Sequence, residues 1–185
     1  INGWDLSKWP VILGDEGAVT IVKVGDNLKN TYKLGQRFAI QPAVAVPPIN
    51  HRERYKNNAE GMLKCAVGYS LGGNLAQYIL IQEEVLKGEC LLPLPEEDMA
   101  YFAVSMAEPI SCIYSAQERN YHIIKKGPHA CRVPQLGFLP HGVAVVIGAG
   151  AMGRMHAELA LRFSPRVLII SDLQQARLDE TIQTI

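Results

Sequence analysis

The chain has 185 residues, enough for one comfortable domain or two small ones, and its 48% apolar content is ample for a packed core. Eighteen basic and eighteen acidic side chains cancel, which excludes a broad electrostatic attraction for nucleic acid or for an anionic membrane. No stretch approaches ~18 uninterrupted apolar residues, so a membrane-spanning helix is not expected.

The opening INGWDLSKWP lacks the basic and then apolar layout of a signal peptide. Ile1 is not an initiator Met, and these residues read as the middle of a longer sequence. From Ala18 to Leu94 short extended segments alternate with turn residues: AVTIVKVG closing on Gly25-Asp26-Asn27, QRFAIQPAVAV closing on Pro47-Pro48, then NLAQYILI and CLLPLP. That spacing predicts a compact all-β unit, a partly open barrel. Between the strands, Ile49 to Cys65 is polar, charged and aperiodic, a surface excursion carrying the basic cluster His51, Arg52, Arg54 and Lys56. A solvated loop is the plain reading of that cluster, and a phosphate or a neighbouring subunit is the functional one.

After Pro95 the apolar residues of EEDMAYFAVSMAEPISCIYSAQERNY recur at three and four, which predicts helix broken at Pro109. Lys125 to Gly142 holds three prolines and three glycines and reads as a loop or linker. Next comes a buried strand at Val143 to Ile147, a glycine turn, a helical pattern from Arg154 and a second buried strand at Val167 to Ile170. Together they make one βαβ unit. The four cysteines, Cys65, Cys90, Cys112 and Cys131, form no CxxC pair and read as thiols of a reducing, cytoplasmic compartment. The remaining histidines, His122, His129, His141 and His156, show no spacing of a shared ligand set.

Gly148, Gly150 and Gly153 form G-x-G-x-x-G between the first strand of that unit and its helix. The first glycine makes the tight turn, the second lets backbone approach a pyrophosphate, and the third permits close packing of helix on sheet. The anion is then met by backbone N–H groups at the helix start, which include those of Ala151 and Met152. Asp172, about 20 residues past the last glycine, stands where an acid accepts hydrogen bonds from an adenosine ribose. Its charge repels a 2′-phosphate, so NAD is favoured over NADP, although Asp172 also suits a cap for the next helix. Arg177 is a candidate for the adenine face, although a solvated helix arginine is the plainer reading.

Taken in order, the ILG-acid turn, a VG bend, LGQRFAI, GGNLAQYILI, a helix bearing AEP, and VVIGAGAMG followed by SD resemble the zinc-dependent medium-chain dehydrogenase/reductase family. Its sorbitol and polyol dehydrogenase branch shows ILGHE, VG, GDRV, GGxAEY, EP and GAGxxG at these places. The similarity runs from about Pro10 to Leu178, and the wording is most similar to members described as L-sorbose 1-phosphate reductases. The resemblance implies an α/β protein: a GroES-like β-barrel catalytic domain at 1–108 and the first part of a doubly wound Rossmann domain at 109–185. It also implies a homo-oligomer, a dimer or tetramer.

In that branch the turn after ILG supplies His and Glu at a catalytic zinc, whereas this chain reads Asp15-Glu16. Carboxylate oxygen ligates zinc at about 2.0–2.2 Å, so the change does not forbid the metal, though it neutralises more of its charge. By the same resemblance Glu108 is a third acid near the metal, and the remaining ligand, a cysteine, lies upstream of Ile1. The plain alternative is that Asp15 and Glu16 only terminate a turn and Glu108 is a helix surface acid. Many relatives hold a structural zinc on four close cysteines. Here the matching region offers Cys65 alone, so no structural zinc is expected.

The implied reaction is zinc-assisted hydride transfer between a secondary alcohol, such as a sugar alcohol or its phosphate, and NAD, giving the ketone. Glu16 and Glu108 are its candidate catalytic residues. Two rivals stand beside it: a metal-free enzyme like the quinone reductases, and a nucleotide-binding fragment without chemistry.

Overall fold

The computed structural model describes residues 7, 10–44, 52–54, 56–61, 63–95 and 98–185. The chain divides into two compact units, Ile1–Glu108 and Pro109–Ile185.

In the first unit, β1 (Ala18–Thr20), β2 (Arg37–Ile40), β3 (Ala43–Val44), β4 (Cys65–Ala66), α1 (Glu83–Lys87), β5 (Leu91–Pro93) and α2 (Tyr101–Ser105) follow in chain order. An antiparallel sheet runs β1-β2-β5, with Val19 opposite Phe38 and Ile40 opposite Leu91. Strand β2 is central, and Phe38, Ala39 and Ile40 are all buried, so both of its faces are covered. A second antiparallel pair joins β3 to β4 through Ala43 opposite Ala66. Ile40, Val44, Cys65, Val67, Leu71, Val85 and Cys90 form the core between these elements. Helix α1 opens on Glu83 and Glu84 and closes on Lys87, charges that suit its dipole, with Lys87 and Glu83 paired at 2.6 Å. Helix α2 is tied to the sheet by Tyr101, whose hydroxyl lies 2.6 Å from the Thr20 hydroxyl and whose ring sits under the Arg37 guanidinium.

Helix α3 (Ala107–Glu118) begins at the division and runs into the second unit, which continues with β6 (Tyr121–Lys125), β7 (Arg132–Leu136), β8 (Val143–Ile147), α4 (Ala151–Leu161), β9 (Val167–Ser171) and α5 (Gln175–Thr184). Strands β8 and β9 are parallel, in register from Val143 opposite Val167 to Ile147 opposite Ser171, and α4 forms the crossover between them. Ala157 and Ala160 are the buried positions of α4; side chains this small let a helix lie close to its neighbours. Arg154 and Glu180, 3.0 Å apart, join α4 to α5.

The mixed α/β architecture, with antiparallel sheets first and a parallel βαβ unit after, follows the reading of the sequence. Four details differ. The two strands read as buried are not, since Val143, Val145, Ile147, Val167 and Ile169 are all exposed. Among the described residues NLAQYILI pairs in no strand: Ile79 and Ile81 pack on the core while Tyr78 and Leu80 are exposed, so the alternation is real but no ladder is seen with it. Pro109 does not break a helix. It lies in the first turn of α3, where a missing N–H costs nothing, and the interruption falls at Met106 instead. The stretch read as a linker from Lys125 contains most of a hairpin, since β6 and β7 pair from Tyr121 opposite Leu136 to Lys125 opposite Arg132. Pro134 disguised it, being tolerated because β7 is an edge strand. Among the described residues no helix is long and apolar enough to cross a membrane.

Candidate nucleotide site and acid turn

Strand β8 ends at Ile147 and the chain reverses through Gly148, at φ +100°, a conformation that a side chain makes costly. The Gly148 N–H donates to the Ser171 carbonyl at 2.7 Å, extending the β8–β9 pairing by one step. Gly150, the extended residue before α4, faces open space: an added Cβ would meet nothing nearer than the Arg177 Nη1, 4.0 Å away. Gly153 is the opposite case, because a Cβ there would overlap the Gly148 carbonyl. The cradle is therefore empty where a pyrophosphate would approach and closed where helix meets turn. The first amides of α4 have no acceptor within the helix and suit an anion.

Asp172 closes the other side. Its Oδ2 accepts the Ala149 N–H at 2.7 Å and its Oδ1 accepts the Gln174 N–H at 2.8 Å. The side chain is 7% exposed, and Arg177 Nη1 lies 3.8 Å from Oδ2. The Gln174 and Ala149 amides hold the carboxyl below the usual carboxylate range, with the nearby Arg177 charge adding to them against the opposing effect of burial. Gly148, Gly150, Ala151, Met152, Gly153, Asp172 and Arg177 are thus gathered about one turn. Ala149, fully buried between the first two glycines, was not singled out from the sequence, although its N–H is the one that Asp172 holds.

In the first unit the acid turn is fixed from behind. Gly73, Asn74 and Leu75 donate their N–H groups to the carbonyls of Ile12, Gly14 and Leu13 at 2.7, 2.8 and 2.9 Å. Gly14 sits at φ +100°, and Gly68 and Gly73 press on its carbonyl so closely that neither has room for a Cβ. The Asn74 carboxamide lies over Gly17, its Nδ2 and Oδ1 buried without a hydrogen-bond partner among the described residues. None of Gly68, Gly73 and Asn74 was legible as part of this turn, because they meet it only through the fold. Asp15 is half-buried, Glu16 exposed, and Glu108 half-buried in the first turn of α3, where an acid suits the helix dipole.

Among the described residues no three His, Cys, Asp or Glu side chains stand together as a group able to hold a metal ion. A catalytic zinc needs three protein donors, and Asp15, Glu16 and Glu108 do not make such a group by themselves. In the basic cluster, His51 lies outside the described residues, as do the side chains of Arg54 and Lys56. Arg52 donates to the Ala59 carbonyl at 3.3 Å.

The second unit also holds a cavity of about 330 Å³ lined by Gln117, His122, Phe138, Val145 and His156 among others. Gln117 donates to the His156 carbonyl at 2.9 Å, while Gln117 Oε1 and His122 Nε2 are buried without a hydrogen-bond partner among the described residues. Separation in sequence hid that these two histidines share a wall.

A family profile described as the alcohol dehydrogenase GroES-like domain matches residues 1–95. The chain is 35% identical to the uncharacterized protein YggP of Escherichia coli (strain K12), over 94% of this chain and 37% of that protein. It is 33% identical to a mannitol-1-phosphate 5-dehydrogenase of Aliivibrio fischeri, over 94% of this chain and 37% of that one. With an L-sorbose 1-phosphate reductase of Klebsiella pneumoniae the identity is 29%, over 94% and 39%. The structure superposes on that of 2R,3R-butanediol dehydrogenase from Bacillus subtilis with a TM-score of 0.65 at 19% identity, covering 99% of this chain and 46% of that one, a likeness that speaks for the fold. The chain spans less than two fifths of the length of these three curated relatives.

Proposed function

The chain belongs to the zinc-dependent medium-chain dehydrogenase/reductase family, and from that premise we propose that the whole protein is an NAD(H)-dependent oxidoreductase interconverting a secondary alcohol, a polyol or sugar phosphate, and its ketone. The observation that carries the nucleotide part is the glycine cradle: Gly148 at φ +100°, open space at Gly150, and Gly153 packed against the Gly148 carbonyl. A dinucleotide bound there would accept hydride from the alcohol carbon as the hydroxyl proton is released to solvent, and in the reverse direction hydride and a proton would be returned to the ketone. Gly150 admits the pyrophosphate, the first amides of α4 face its charge, and Arg177 stands beside Asp172 on the adenosine side.

The substrate class rests on relatives described as acting on mannitol 1-phosphate and L-sorbose 1-phosphate. No metal is assigned to Asp15, Glu16 and Glu108. The turn of Asp15 and Glu16, its backbone held by Gly73, Asn74 and Leu75, is an acidic edge of the first unit, and carboxylates there suit hydrogen bonds from substrate hydroxyls. A homo-oligomer in the cytoplasm completes this reading.

Calorimetric titration with NAD tests the first half, and formation of reduced nicotinamide with a panel of sugar alcohols and their 1-phosphates tests the second. Saturable NAD binding with turnover of at least one polyol is expected of the whole protein. Binding without turnover of any member would reject the substrate class, and absence of binding would reject the nucleotide.

A further inference from the structure

Resting on the function proposed above, we propose that Tyr101 and Arg37 are positioning residues for that reaction: with strand β2 as their frame, they fix Glu108 relative to the turn of Asp15 and Glu16. All of these residues lie in the first unit, and the two acid-bearing segments are tied to opposite ends of β2. At one end the Ile40 N–H donates to the carbonyl of Gly17, the residue after Glu16, at 3.1 Å. At the other end Arg37 stands opposite Thr20 of β1, and its Nη2 donates to the Met99 carbonyl at 2.5 Å. The same guanidinium lies 4.1 Å from the centre of the Tyr101 ring, and the hydrogen bond between the Tyr101 and Thr20 hydroxyls completes the clasp.

Helix α2 depends on that clasp. It has five residues, too few to be stable alone, and Ala100 before it offers no side-chain cap. Val104 is its one buried residue, and Phe102 stands 77% exposed. What holds the start of α2 therefore decides where its end points. Met106 closes the helix, and Glu108 follows two residues later in the first turn of α3. A displacement of about 1 Å in a reacting group can cost roughly a hundredfold in rate, so a loosened clasp is felt at Glu108 even though neither Tyr101 nor Arg37 touches the substrate.

The experiment measures the whole protein with NAD and the polyol it turns over best, below the melting temperature of every variant. Tyr101→Phe keeps the ring under Arg37 and removes only the hydroxyl. Its kcat/KM for the polyol falls roughly tenfold while its KM for NAD holds. Added to Glu108→Gln, Tyr101→Phe costs no more than about twofold further, because the group through which it acts has already lost its charge. Glu108→Asp takes the place of Glu108→Gln if the latter leaves no turnover. Thr20→Val removes the same hydrogen bond from the other side and carries the comparison if Tyr101→Phe fails to fold. Wild-type kcat/KM in Tyr101→Phe would overturn the proposal. So would losses that multiply in the double variant, since Tyr101 would then act apart from Glu108. A wild-type protein that binds NAD and turns over no polyol would reject the proposed reaction itself, and the positioning role would fall with it.

Discussion

The backbone N–H of Asn74 donates to the Gly14 carbonyl at 2.8 Å, and a Cβ on the adjacent Gly73 would overlap that same carbonyl. The acid turn is therefore seated on backbone, with no side chain between. Gly73→Ala must push Gly14 and Leu13 away and break the seat; the cost should reach about 3 kcal/mol, the upper range for overpacking. Gly72→Ala is the control, since nothing lies within 4 Å of its Cβ, and should stay within about 0.5 kcal/mol. Urea unfolding of the two variants decides; equal midpoints would refute the close packing.

The glycines of the second unit should separate binding from folding. At Gly150 the only atom near an added Cβ, among the described residues, is the tip of Arg177, and the backbone, at φ −73°, suits alanine, so Gly150→Ala should melt like the parent. It should nevertheless lose most of its NAD affinity, because the methyl fills the space a pyrophosphate needs. At Gly153 the methyl meets the Gly148 carbonyl, so Gly153→Ala should lose stability and affinity together. Melting curves beside calorimetric titrations give both quantities, and a Gly150→Ala chain that binds NAD as before would remove the pyrophosphate from this cradle.

Much of this was legible in the sequence because it is local. The βαβ unit announces itself through two apolar runs, three glycines and an acid at a fixed interval, and each of those is decided within a few residues. Contacts made across the chain left no such trace. Ala149 looks like any small residue between glycines until Asp172 is seen to hold it, and Asn74 sits sixty residues from the turn it braces. The β6–β7 hairpin was masked by a different cause: Pro134 reads as a breaker, yet on an edge strand its lack of an N–H is harmless.

Metal content is the test of the acids. Asp15, Glu16 and Glu108 belong to no three-donor group among the described residues, so the 185-residue chain, dialysed after exposure to zinc, should retain well under one ion per molecule by elemental analysis. Replacing any of the three by alanine should leave that value where it was. Stoichiometric zinc, lost on substitution at Asp15 or Glu16, would show that the carboxylates do meet at a metal.

Acid titration probes Asp172 without any ligand. The Gln174 and Ala149 amides, helped by Arg177, bind the charged carboxylate in the folded chain and hold its pKa below the ordinary value. The folded state then takes up this proton less readily than the unfolded state. Stability from the group is fully present above the usual carboxylate range and drains away as pH falls through that range toward the lower folded value. Asp172→Asn cannot lose what it never had. It should be less stable than the parent at neutral pH, and the gap should narrow as the solution is made acid, followed through amide signals of α4 and β9 in urea. A gap that keeps its size down to the acid limit would mean that the carboxylate charge contributes nothing, and that the two amides would be as well served by a neutral acceptor.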